Sequence, residues 1–335
     1  MYACKTVVLS LFMYFGLALS ASCAELVVYT AMDQVFSEPI LKEFEQKTGI
    51  TVKAVYDVEA VKTTGLVNRL LAEKEHPRCD VFWNNEIMRT IMLKRRGILA
   101  PYNSPSAIDI PAQFKDKNNF WAGFAARARV LVVNTQLLQP AEYPASVQAL
   151  TEPRWQGRAA LAKPLFGTTA TQAACWYTAW GKDKVVAFYR DALANNVRIV
   201  DGNSVVRDMV AAGELPWGLT DTDDVHVGVL QGRPIKAILP DQQGEGTLLI
   251  PNTVALIAGA PHPAEAKRFI DYLLSREIEG KLCNSESAQI PLRSGIAVPK
   301  GQFTIENIVA TPIDFEKVTD AMEASVDTVQ QYFAR

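Results

Sequence analysis

Three carboxylates, Asp221, Asp223 and Asp224, alternate with Thr220 and Thr222 in the stretch WGLTDTDD, directly after an apolar run that reads as a strand end. At that spacing several side-chain oxygens converge on one point, as ligands for something small. The same composition also builds a solvated turn or a helix N-cap, and the stretch alone leaves both readings open. A calcium loop of the EF-hand type does not fit: Val225 stands at the fifth loop position, His226 at the required glycine and Gly232 at the closing glutamate.

Two further groups could bind. Arg127 and Arg129 alternate with small and apolar residues in FWAGFAARARVLVVNT (Phe120 to Thr135), so one of them is forced inward. A buried arginine needs an anionic partner, either a neighbouring carboxylate, the commoner case, or a bound anion. The turn at Gly167, Thr168 and Thr169 runs into a helix and would present backbone N–H groups and hydroxyls to an anion. It lacks the lysine and spacing of a phosphate-binding P-loop, and N-capping by Thr168 or Thr169 is the alternative. Asn203 or Ser204 likewise would cap the helix through Val205, Val206, Met209 and Val210.

Catalytic patterns are missing. The chain has no GxSxG elbow, HExxH helix, Walker loop or GxGxxG. His76, His226 and His262 have no partner spacing and read as surface histidines. With 335 residues, 49% apolar content and a net charge of -2, the chain is long enough for two domains and has no basic stripe for nucleic acid.

The elements that position these groups alternate between strand and helix. LVVYT (Leu26 to Thr30) is a strand, followed by helical spacing of Val35, Phe36, Ile40, Leu41 and Phe44 up to Gly49, a C-cap. TVKAVY (Thr51 to Tyr56) is a second strand, Val58 to Glu75 a helix, and CDVFW (Cys79 to Trp83) a third strand before a helix opened by Ile87, Ile91 and Met92. Repeated units of this kind imply a mostly parallel, doubly wound sheet with ligands at the carboxyl ends of its strands. That rule selects the loops holding Thr30, Asp33, Asn84, Asn85 and Glu86, where Asn85 or Glu86 would equally serve to cap a helix. The pattern restarts with a strand from Gly157 to Ala162, a helix from Val185 to Leu193 and a strand within Val197 to Ser204. It closes with a strand in Pro251 to Ala260 and one helix from Ala264 to Leu282.

Residues 1–24 carry Lys5, the apolar run Val7 to Leu19 and small residues up to Ala24, the pattern of a secretory signal. Lipidation at Cys23 is disfavoured because Ser20 stands where a lipobox has leucine. Export would leave Cys79, Cys175 and Cys283, for which one disulfide plus a thiol, or three thiols, both fit.

The segments VVYTAMD, FEQKTGI, CDVFWNNE, RARVLVVNT, LTEPRWQGRAALAKP, GNSVVRDMVAAGE and APHPAEAKRFIDYLLS together resemble the periplasmic solute-binding proteins of ABC importers, in the branch that includes ferric-ion-binding proteins. The resemblance implies an α/β, two-lobed type II binding-protein fold, each lobe a mixed sheet flanked by helices and joined by crossover strands. It places a signal peptide at 1–24, lobe 1 at 25–127 and 251–300, and lobe 2 at 128–250 and 301–335. The implied role is capture of a small ligand by hinge closure, with delivery to membrane permease subunits by a periplasmic monomer that is not an enzyme and needs no cofactor.

Ferric ion with a synergistic anion as cargo is the leading expectation, with Asp33, Glu86, Asp221 and Asp223 as metal ligands. The wider ligand-binding set adds Thr30, Asn85, Arg127, Thr168, Thr169, Asn203, Ser204, Thr220 and Thr222. The paired tyrosines of ferric-binding relatives would fall at Thr220 to Asp224, where this chain has none. An organic solute such as a phosphorylated sugar, a phosphonate or an amine is the alternative, and an exported metal-dependent hydrolase the remote one.

Overall fold

The computed structural model describes residues 24–57 and 64–333. The expected signal segment, with Cys4 and Cys23, and the first turns of the helix expected from Val58 lie outside the described residues; the described part of that helix, α2, runs Thr64–Ala72.

β1 (Glu25–Thr30) pairs in parallel with β2 (Thr51–Tyr56) and β3 (Val81–Asn84). α1 (Gln34–Thr48) links β1 to β2 and stops at Gly49, whose φ of 72° is the left-handed conformation that glycine tolerates best. In the second half, β6 (Ala159–Ala162) pairs in parallel with β7 (Arg198–Val200) and β8 (Trp217–Asp221). α3 (Met88–Arg95), α4 (Gly167–Trp180), α5 (Lys182–Ala194), α6 (Asn203–Ala211) and α7 (Thr222–Leu230) follow their strands or pack beside them.

The halves meet through β5 (Ala122–Asn134) and β10 (Leu249–Ile257), which run antiparallel to each other. β5 is too long for one sheet, and its two ends serve different ones: Ala122–Ala128 pairs with β10, while Arg129–Val133 pairs with β8 and, in part, with β9 (Ile235–Ile238). The sheet is therefore mixed rather than mostly parallel, because the crossing strands oppose the parallel strands of each half.

Where they cross, both strands bend. Ala125 has φ 44°, and the β5–β10 register shifts at Pro251/Asn252. The fully buried Glu279 accepts the Ala125 N–H at 3.1 Å and binds Arg293 at 2.7 Å, while Asn252 donates to Gln289 at 2.9 Å. The bend thus keeps the Ala125 N–H and the Asn252 Nδ2 bonded away from water, while Asn252 Oδ1 is buried with no hydrogen-bond partner among the described residues.

The expected helix from Ala264 to Leu282 is two helices, α8 (Pro263–Leu273) and α9 (Arg276–Asn284). The Ser275 hydroxyl accepts the Ile278 N–H and starts a new N-terminus, a signal that an unbroken apolar face conceals. α10 (Phe315–Phe333) buries Phe315 and Val318 among first-half residues such as Tyr29 and Ile91, and Val329 and Phe333 among second-half residues such as Leu161 and Tyr189. α10 therefore packs against both halves. Cys79, Cys175 and Cys283 are buried free thiols.

Candidate ligand cleft

A cleft of about 450 Å³ opens between the halves. The first half contributes Asp33, Val35, Phe36 and Asn85, and β5 contributes Arg127. The facing wall is built from the starts of α4, α6 and α7. It carries Thr168 and Thr169, then Asn203 and Ser204, then Asp221, Asp223 and Asp224.

The helices start earlier than capping would require, by two residues for Thr168 and by one for Asn203. α4 begins at Gly167 after Phe166, and α6 begins at Asn203 after Gly202, neither with a side-chain cap. Thr168, Thr169, Asn203 and Ser204 therefore occupy first turns, and their polar groups line the cleft instead of closing the helix ends. α1 and α7 also begin at its edge, with Asp33 and Asp221 at their N-cap positions. Four helix N-termini thus direct partial positive charge towards one space.

Four of the expected ligand residues are turned to other work. Thr30 Oγ1 accepts the Met32 N–H at 3.1 Å. Glu86 is fully buried and accepts the N–H groups of Met88 at 2.7 Å and Arg89 at 3.0 Å, so its carboxylate closes the first turn of α3. The Thr171 hydroxyl reaches the same carboxylate from α4 at 3.4 Å. Thr220 donates to the Asn203 carbonyl at 3.1 Å, and Thr222 Oγ1 accepts the Ala128 N–H at 3.1 Å. None of the four lines the cleft.

Sequence reasoning passed over other groups that do. Lys163 and Asp201 form a rim ion pair at 3.0 Å, and Arg207 lies 3.8 Å from Asp224. Beneath the wall, Arg129 is fully buried: Nη1 donates to Asp221 Oδ1 at 2.7 Å and Asn203 Oδ1 at 3.1 Å, and Nε to Gln172 at 2.8 Å. Both arginines of the RAR segment are buried, Arg127 lying 3.4 Å from Asp223. Alternation in a strand predicts one face for both, which follows from the period of two that Arg127 and Arg129 share.

Asp221, Asp223 and Asp224 can bring one oxygen each within 4.8 Å of the others. Burial, together with the charges of Asp223 and Asp221, pushes the Asp224 carboxyl up to about 8, against the pull of Arg207 and the Thr220 hydroxyl. Carboxylates crowded in this way welcome positive charge, while the helix starts beside them welcome an anion. Among the described residues the lining contains no tyrosine, histidine or cysteine, so the side-chain atoms it offers a cation are oxygens. No described helix is long and apolar enough to cross a membrane.

Residues 84–303 match the family described as bacterial extracellular solute-binding protein. An Fe(3+)-binding periplasmic protein of Serratia marcescens is 23% identical over 325 residues, covering 93% of this chain and 94% of that protein. A putative 2-aminoethylphosphonate-binding periplasmic protein of Salmonella typhimurium is 27% identical over 302 residues, covering 86% of this chain and 85% of that protein. The iron-bound structure of HitA from Pseudomonas aeruginosa superposes with a TM-score of 0.82 at 21% identity, covering 91% of this chain and 99% of that one, and so shares its fold.

Proposed function

The chain belongs to the bacterial extracellular solute-binding proteins, and on that footing we propose that it is the periplasmic receptor of an ABC importer, closing its two halves on a small charged solute and handing that solute to a permease. The observation that carries this reading is the juxtaposition, within one cleft, of crowded carboxylates and converging helix N-termini. A ligand touching both halves stabilises the closed arrangement by its differential affinity for it, and no bond is made or broken.

The cargo in the first reading is a hard cation, ferric iron foremost, taken up with a small oxygen anion. Asp33 from the first half and Asp223 and Asp224 from the second face the cation, while the expected ligand Asp221 is bound to Arg129, Thr168 and Asn203. Thr168, Thr169 and Ser204 at the starts of α4 and α6 face the anion, and Arg127 lines the same cleft. Hard oxygen donors suit such a cation. The iron-binding relative from Serratia supports this reading.

A second reading puts both charges on one molecule, an aminoalkylphosphonate or a phosphorylated sugar. A cleft of about 450 Å³ is far larger than a bare ion and holds no phenolate, and the phosphonate-binding relative fits it. Thermal unfolding with ferric citrate, 2-aminoethylphosphonate and a hexose phosphate separates the readings. A ligand at 100 times its Kd stabilises by about 2.7 kcal/mol, a readily visible shift. A response to ferric citrate alone supports the first reading, a response to metal-free phosphonate or sugar phosphate supports the second, and no response to any of the three refutes both.

A further inference from the structure

Asp221 opens the acidic run, yet both of its oxygens are engaged. Oδ1 accepts from Arg129 Nη1 at 2.7 Å, and Oδ2 accepts from the Thr168 hydroxyl at 2.6 Å and Asn203 Nδ2 at 3.0 Å. Its side chain is 3% exposed and that of Arg129 is 0% exposed. The neighbouring pairs are looser: Arg127 stands 3.4 Å from Asp223, and Arg207 stands 3.8 Å from Asp224. Through Gln172, Asn203 and Asp221, Arg129 also touches α4, α6 and the residue that starts α7. Its Nη2 is a buried donor with no hydrogen-bond partner among the described residues.

We infer that Arg129 is a positioning residue that sets the ligand preference of the cleft: it holds Asp221 as its own counter-ion, withdrawing that carboxylate from a bound cation, and it fixes the three helix starts that meet negative charge. The inference rests on the reading of the cleft as the ligand site. A single charge decides the balance because opposite charges a few ångströms apart in a buried setting interact far more strongly than in water. With Arg129 in place, Asp221 adds no net charge to the wall. Without it, the Asp221 carboxylate is released to a cation and the hydroxyl of Thr168 loses its fixed orientation.

The test uses terbium ion and inorganic phosphate as separate probes on the full chain. Arg129→Met is expected to bind terbium about tenfold more tightly and phosphate about tenfold more weakly than the unaltered protein, the scale of one nearby charge. Adding Asp221→Asn to it is expected to abolish the terbium gain. Damage to the fold in general weakens both probes together, so opposite signs are the signature of the proposed role.

Affinities that fall together, or a terbium gain that survives Asp221→Asn, overturn the inference. Should Arg129→Met not fold, Arg129→Lys keeps the charge without the forked donors. Phosphate is then expected to weaken with terbium unchanged, and tighter terbium binding there also overturns it. Unaltered protein that binds neither probe refutes the reading of the cleft as the ligand site and the inference with it. Binding in the unaltered protein with parallel losses in the variants refutes the inference alone.

Discussion

Replacing Glu279 with alanine tests whether a single carboxylate holds the bend where the two halves join. Glu279 is fully buried; it accepts the N–H groups of Ala125 and Leu292 and pairs with Arg293 at 2.7 Å. Arg293 keeps Asp109 at 2.6 Å and the Ser106 and Leu274 carbonyls, so loss of Glu279 leaves it only partly unpaired. That loss falls at the low end of breaking a buried pair, about 3 kcal/mol. Each orphaned backbone N–H adds about 1 kcal/mol, for a total of roughly 5 kcal/mol.

With a urea slope of about 3 kcal/mol per molar for a chain of this size, the unfolding midpoint of Glu279→Ala should drop by roughly 1.5 M. Glu279→Gln retains an acceptor oxygen at the bend and should lose about half as much. Because Ala125 lies on the strand that leads to Arg127 and Arg129, the alanine variant should also bind ligand more weakly. A loss below about 1 kcal/mol for Glu279→Ala, or equal losses for alanine and glutamine, would refute the assignment of the bend to this carboxylate.

Other expectations are more local. The Asp224 carboxyl is raised from 3.8 to about 8, so the folded state holds a proton that the unfolded state releases; stability should fall as pH rises through that window and level off above it. Urea midpoints between pH 4 and 8 should show that slope, flattened in Asp224→Asn. A Cβ added at Gly218 would meet Val206 Cγ1 at 2.4 Å and the Ala160 carbonyl oxygen at 3.0 Å, so Gly218→Ala should cost about 1–3 kcal/mol in denaturant unfolding. A neutral result there would contradict the close approach of α6 to β8. Cys79, Cys175 and Cys283 are buried and unpaired, so none should react quickly with a thiol reagent in the native protein and all three should react once it is unfolded.

Much of the fold was legible because it rests on local pattern. The β-branched runs at Leu26–Thr30 and Thr51–Tyr56 form the expected strands, and Gly49 ends the first helix in a conformation that glycine favours. The cleft was legible in part, since Asp33, Asn85, Arg127, Thr168, Thr169, Asn203, Ser204, Asp221 and Asp223 all border it. Strand ends and helix starts carry those residues, and parallel units gather such ends on one side. The break at Ser275 was not accessible, and the mixed character of the sheet followed from the family resemblance but not from the strand–helix alternation, because they depend on a hydroxyl turned to a helix end and on strands paired across the chain.

What the sequence by itself determined is the class of protein and a segment that borders the cleft: alternating strands and helices, a family pattern across the chain, and acidic residues after a strand. Which of those residues are available was decided by tertiary structure. Glu86 and Asp221 are both carboxylates in plausible loops, yet one is bound by the backbone of α3 and the other by Arg129, a residue 92 positions away in the chain. Spacing along the chain reports which donors are near; only packing reports which have already met a partner, because a buried charge is compensated by whatever the fold brings against it.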